Sequence, residues 1–258
     1  MRKIFLTLAA ALLLLSPLAH AADAPAPAFT DAQRAEIESI VKDYLTKEHP
    51  EVLAEGLQNL QKQEQDSADA KSKSAVNDAK ARVFDDPNSP VGGNPKGDVT
   101  VVEFFDYQCP YCKASHKAVT ELLKDDKNVR FIYKEFPILG PTSVTAAKAA
   151  LASVKQGKYI VFQNALMNAP FSHNAHPDAD NALIYQTAKD VGLNVDKLKK
   201  DMEDPAIEAD LKANLKLGED IGVRGTPMFI VGDNVYPGAL QYDQLKQAVA
   251  DARAAAKK

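Results

Sequence analysis

Two cysteines, and only two, occur in the 258 residues, and they stand three apart as Cys109-Pro110-Tyr111-Cys112. A framework of several disulfides is therefore excluded, and so is a closed four-cysteine zinc site. The residues before the pair, Val101-Val102-Glu103-Phe104-Phe105, read as a buried strand. Those after it keep helical spacing through Val119, Leu122 and Leu123. A strand thus delivers Cys109 to the start of a helix, where unpaired backbone N–H groups and the helix dipole favour negative charge. The Cys109 thiol is expected to be acidified and to react as a thiolate. Cys112, one turn on, is placed to resolve a mixed disulfide. Pro110 suits the first turn, because its missing N–H has no helical partner there. Two other readings stay open. One is a structural disulfide, a weak staple in so small a loop. The other is a soft ion such as Cu(I), with His116 joining the two sulfurs.

Residues 1–21 carry Arg2 and Lys3, an apolar run over 4–15, and Ala19-His20-Ala21 as a small-x-small cleavage site. This pattern predicts a secretory signal peptide, with an uncleaved anchor as the alternative. Neither cysteine adjoins the cleavage site, so a lipid anchor on cysteine is excluded. No second apolar run is long enough to span a bilayer. The expected location is the periplasm, an oxidising compartment where a lone C-x-x-C cycles through its disulfide. Apolar residues at 45% and charged residues at 26% fit a globular protein. With a formal charge of −4 there is no basic excess, and no nucleic-acid partner is expected.

Residues 22–84 read as a helical N-terminal segment and linker. Thr30 and Gln33 form a capping-box pattern. Ile37, Ile40, Val41, Tyr44 and Leu45 make one apolar stripe; Val52, Leu53, Leu57 and Leu60 make another beyond Pro50. So short a segment rarely buries such stripes alone. The polar run 61–80, a helix or a spacer, separates it from the rest. Pairing with a second copy is therefore expected, and closed homodimers are the commonest outcome. Residues 85–97 are expected to be a loop that opens the main domain, 85–258. Strands are predicted at 99–105, 129–136 and 228–231, with 234–236 pairing to the last. Helices are predicted through 142–221 and at 241–255. This is an α/β chain with a helical insertion at about 141–221.

Three stretches carry a specific resemblance: residues 104–113, Tyr133-Lys134-Glu135-Phe136-Pro137-Ile138-Leu139-Gly140, and Gly222-Val223-Arg224-Gly225-Thr226-Pro227-Met228-Phe229. Together they resemble the DsbA-like branch of the thioredoxin superfamily over residues 85–258. The resemblance implies a thioredoxin fold with an inserted helical domain and thiol–disulfide exchange on secreted proteins. It implies Cys109 as nucleophile, Cys112 as resolving cysteine, and Pro227 as the cis-proline that aligns substrate backbone. A trans Pro227 opening an edge strand is the plainer alternative. The Pro-Tyr dipeptide departs from the Pro-His of the best-known oxidase. Thr226 stands where that oxidase has valine and the isomerase branch has threonine. The N-terminal helices resemble those of isomerase-like and suppressor-of-copper-sensitivity members, which oligomerise through this region.

The chain is thus expected to be a disulfide isomerase or reductase, recharged by a membrane redox partner and acting on unfolded or misoxidised secreted proteins. It would need no cofactor beyond the cysteine pair. The alternative is a copper-binding or copper-tolerance protein using the same pair. Glu103, an acid inside an apolar strand, is read as a proton acceptor for Cys112, matching a buried acid of the family, or as a strand-end acid in solvent. Asp106 reads as loop or cap chemistry, Lys134-Glu135 as a strand-end charge pair, His116 as a surface helix residue, and His173 and His176 as a solvated loop.

Overall fold

The computed structural model describes residues 29–171 and 177–256; the expected leader at 1–21, His173 and His176 lie outside them. The chain forms two compact units that meet in sequence at Gln61 and Lys62. In the first, α1 (Asp31–Asp43) runs into a π-helical turn at Tyr44–Glu48. Thr30 Oγ1 accepts from Gln33 N–H at 3.3 Å, and Gln33 Oε1 accepts from Thr30 N–H at 2.9 Å, so the capping box is complete. Pro50 opens α2 (Pro50–Asp78), where its missing N–H is harmless; from Lys62 onward this helix belongs to the second unit. No residue of α1 is buried, and Ile40, Leu57 and Leu60 are more than half exposed.

The second unit is built on a five-stranded sheet of β1 (Val91–Gly93), β2 (Val99–Phe105), β3 (Val129–Glu135), β4 (Met228–Val231) and β5 (Asn234–Pro237). Their spatial order is β1-β3-β2-β4-β5. Among the described strands only β2 and β3 are parallel; α4 (Pro110–Asp125) supplies the crossover that such a pair requires. β2 is rich in β-branched and aromatic residues and lies between β3 and β4, which suits a strand buried on both faces. Its Val101 and Phe105 face a core shared with Cys112, Val119 and Leu122 of α4. Its Val102 and Phe104 face a second core with Val76 of α2, Val83 of α3 (Lys80–Phe84), and Leu217 and Ile221.

Between β3 and β4 the chain forms α5 (Pro141–Ser153), α6 (Tyr159–Asn168), α7 (Pro177–Asp190), α8 (Val195–Met202) and α9 (Pro205–Ile221). Five buried alanines of α5 let its neighbours approach closely. Asp204 caps α9 by accepting from Ala206 N–H at 2.9 Å, and Gly222 ends it in the left-handed region at φ 80°. The last element is α10 (Tyr242–Ala255). Among the described residues, no helix is long and apolar enough to cross a membrane.

Three local readings need correction. The 85–97 loop contains β1, which adds an antiparallel edge to β3. Lys134 and Glu135 form no charge pair, because neighbours on a strand point to opposite faces. Lys134 Nζ is fully buried and donates to Asp86 Oδ2 at 2.7 Å and to Arg82 O at 2.9 Å, while Glu135 enters the other core. His116 is buried rather than on the surface.

Candidate active site

β2 ends at Phe105, and four residues turn the chain into α4. Cys109 is the N-cap of that helix in extended backbone, and Pro110 follows at its first position. The turn is fixed by Cys109 N–H donating to Asp106 O at 3.1 Å, and by Asp106 itself. Asp106 Oδ1 accepts from Gln108 N–H at 2.8 Å and Ser143 Oγ–H at 2.7 Å; Oδ2 accepts from Ile138 N–H at 2.8 Å and Leu139 N–H at 3.0 Å. One buried carboxylate thereby binds the cysteine turn to the loop after β3 and to α5. The reading of Asp106 as loop chemistry agrees with this, though its reach across three segments was not legible locally.

Both cysteines are free thiols. Cys109 is 4% exposed and Cys112 is fully buried, so only a small window of the Cys109 side chain reaches solvent. Tyr111, between them, is 65% exposed and forms the rim. As a thiol, Cys109 Sγ donates to Thr226 O at 3.2 Å. As a thiolate it receives hydrogen bonds from the Cys112 thiol, then from Thr226 and from the backbone N–H groups of Cys112 and Tyr111. These outweigh burial and lower its pKa to about 6. Cys112 is pushed far upward by burial, by its own donation to Cys109, and by the nearby charge of Glu103.

The Thr226–Pro227 bond is cis, and β4 is an inner strand, so the edge-strand alternative does not hold. The register Phe104↔Met228 and Glu103↔Phe229 sets Thr226-Pro227 beside the end of β2, facing the cysteine turn. A cleft of about 470 Å³ runs along Pro227, Met228 and Val235 of the sheet side and Ser72 and Ala75 of α2.

Glu103 is 2% exposed, which removes the solvent alternative, and its Oε1 has no partner. Burial raises its pKa well above the ordinary carboxylate value; the charges of Cys109 and Glu135 add to this. The structure thus brings together Cys109, Cys112, Thr226 and Pro227, with Glu103 in the core beneath. It does not bring His116 into a metal site: burial lowers the His116 pKa, and no cluster of three metal-ligating side chains occurs among the described residues.

Sequence reasoning missed Glu135. Its Oε1 accepts from Tyr107 O–H at 2.8 Å and Tyr159 O–H at 2.7 Å, and burial lifts its pKa to about 8. The signal was available: like Glu103, it is an acid in a strand of apolar and aromatic residues. Lys113 was missed as well. It follows Cys112, donates to Ala169 O and lies 5.0 Å from the centre of the Phe171 ring.

Residues 100–250 match the DSBA-like thioredoxin domain family, and residues 33–66 match the copper resistance protein ScsC N-terminal domain. A solved thioredoxin-like oxidoreductase from Silicibacter pomeroyi DSS-3 is 45% identical, and the match covers 67% of this chain and 97% of that one with a TM-score of 0.63. Proteus mirabilis ScsC in a transitional conformation is 28% identical over 88% of this chain and 100% of that one, with a TM-score of 0.63. Among curated proteins, the Na(+)/H(+) antiporter NhaA 3 of Salinispora tropica is 30% identical over 170 residues, 65% of this chain. The chain spans only 25% of that antiporter's length. Fold, cysteine turn and family match agree: the chain belongs to the DSBA-like thioredoxin domain family.

Proposed function

We propose that the chain is a periplasmic thiol–disulfide oxidoreductase that reduces or isomerises disulfides in secreted proteins, with Cys109 attacking and Cys112 resolving. The observation that carries this is the opposite tuning of the two thiols. Cys109, held near 6, is a thiolate at neutral pH, whereas buried Cys112 keeps its proton until it is needed. The Cys109 thiolate attacks a substrate disulfide and one substrate sulfur leaves. Cys112, losing its proton to the buried acid, then attacks Cys109 Sγ and frees the second. Thr226 and Pro227 stand beside the sulfur, where they would align the substrate backbone, and the Thr226 hydroxyl favours release. The cysteine pair carries the two electrons, so no cofactor is required, and a membrane redox partner would restore the dithiol. The 1–21 leader pattern supports export. The exposed stripes of α1 and α2 support a closed homo-oligomer, of which a dimer is the simplest.

Insulin reduction and refolding of scrambled ribonuclease test this reading. Cys109→Ser should abolish both, and Cys112→Ser should trap mixed disulfides with substrate. Faster alkylation of Cys112 than of Cys109 in mild acid would overturn the assignment.

A copper-handling role is the second reading, favoured by the match of residues 33–66 to a domain of a copper resistance protein. Two thiolates suit a soft monovalent ion. Titration with Cu(I) against a competing chelator decides it: no transfer of copper to the dithiol form removes the reading.

A further inference from the structure

Two carboxyls lie in the core beneath the cysteines, and they are bonded differently. Glu103 of β2 and Glu135 of β3 project from the same face of the sheet as diagonal neighbours, since Glu103 pairs with Tyr133 and Phe105 with Glu135. Each is at most 2% exposed. Glu135 receives two O–H donors, from Tyr107 and Tyr159, on one oxygen. Glu103 Oε1 receives none. Glu135 Oε2 and both amide atoms of Gln163 also lack a protein partner. Gln163 lies one turn beyond Tyr159 on α6, on the same side of the helix. Buried polar groups in this condition are ordinarily joined by internal water.

A buried carboxylate is held by the hydrogen bonds it accepts. Of the two acids, the one equipped to carry the negative charge is therefore Glu135. We propose that Glu135 takes up the proton lost by Cys112, with Glu103 passing it on through water shared with Gln163. This rests on the assignment of Cys112 as the resolving thiol. In the step, Cys112 Sγ–H gives its proton to Glu103, Glu103 releases the proton it already holds, and Glu135 binds it in its carboxylate form, which gains population as pH rises towards 8. The Cys112 thiolate attacks Cys109 Sγ; the Cys109–Cys112 bond forms, the bond from Cys109 to the substrate sulfur breaks, and the substrate leaves as a thiolate. The cysteine pair is oxidised by two electrons and the substrate disulfide is reduced by two.

Glu135 touches no reacting sulfur and acts through Glu103. The titratable groups around it are Glu103 of β2, Asp106 and Tyr107 of the cysteine turn, Tyr133 of β3, and Tyr159 of α6. Lys134 and Asp86 lie on the opposite face of the sheet. The two tyrosine O–H groups pull the Glu135 pKa down against burial, to about 8, whereas nothing in the fold offsets the rise at Glu103.

Stopped-flow reaction of the full chain with an aromatic disulfide tests the proposal. The reagent releases one coloured thiolate when Cys109 attacks and a second when Cys112 resolves, so the two steps are read separately across pH. In Glu135→Gln the ratio of resolution to attack should fall roughly tenfold at pH 8 and above, where Glu135 is ionised, less than the hundredfold or more of a group that takes the proton directly, because Glu135 acts through Glu103. Its pH midpoint for resolution should also move upward. Tyr159→Phe, and separately Tyr107→Phe, should shift the midpoint in the same direction by less. These two decide the matter if Glu135→Gln does not fold. A Glu135→Gln profile that superimposes on the wild type, with Glu103→Gln alone slowing resolution, would place the acceptor on Glu103 and overturn the proposal. A second release that persists in Cys112→Ser would instead overturn the assignment of the resolving thiol.

Discussion

Cys109 and Cys112 carry the same side chain three residues apart, yet their ionisation moves in opposite directions. The acidification of Cys109 was legible, because a thiol between a strand and a helix meets unpaired N–H groups wherever it occurs. Its main cause was not, since the donation from Cys112 and the Thr226 contact require the fold. The sign of the pH effect follows. The folded dithiol loses the Cys109 proton near pH 6, and the unfolded chain keeps it to about 8.5. The reduced protein should therefore gain stability as pH rises across that window, and lose the gain as pH falls through 6. Urea unfolding under reducing conditions should show this rise in the wild type and not in Cys109→Ser. Thr226→Val removes one donor to the thiolate, so the midpoint of Cys109 alkylation should move above 6. An unchanged midpoint would take Thr226 out of the charge balance.

The elements were easier to read than their partners. β2 is recognisable from its unbroken apolar run, and β3 from Val129-Arg130-Phe131-Ile132-Tyr133. Nothing in one strand tells which core each face will meet, and for that reason the adjacent Lys134 and Glu135 looked like a pair. β1 was hidden because Val91-Gly92-Gly93 has turn composition. It pairs there because Gly92 lies against the Tyr133 ring, where a side chain would collide. Lys134 makes the energetics of such placement testable. Asp86→Ala would leave a fully buried ammonium with Arg82 O as its hydrogen-bond acceptor and Asp210 as the nearby opposite charge, a loss of ~3 kcal/mol or more; Lys134→Met should cost much less. Thermal unfolding of the two variants should show that order, and the reverse order would mean that Lys134 carries no buried charge. At the cysteine turn, Asp106→Ala strips the acceptor from Gln108, Ile138, Leu139 and Ser143. It should destabilise by ~3 kcal/mol or more, and Ser143→Ala by much less.

At the scale of the whole chain, two compact units carry different kinds of surface. Unit 2 buries its strands between two cores, whereas α1 buries nothing, and Ile40 and Leu57 are each 61% exposed. The stripes and the capping box of this first unit were plain in the sequence because both are local signals; what the stripes pack against is not encoded in any local pattern. Ile40→Glu together with Leu57→Glu should reduce the mass by light scattering to that of one chain. Insulin reduction should persist while refolding of scrambled substrate falls. A wild type that already scatters as one chain at tens of micromolar would end the oligomer proposal. The order of the strands has a consequence in time. β4 lies between β2 and β5, and Thr226 follows Cys109 by 117 residues. If the chain is exported as proposed, a polypeptide threaded outward N-terminus first delivers the thiol pair long before the strand that shields β2. Until β4 arrives, one edge of β2 is bare, an invitation to foreign pairing, and Cys109 lacks its Thr226 neighbour. A chain halted midway through export would thus be adhesive and chemically dull at once. Only the finished molecule would possess a thiol tuned for exchange.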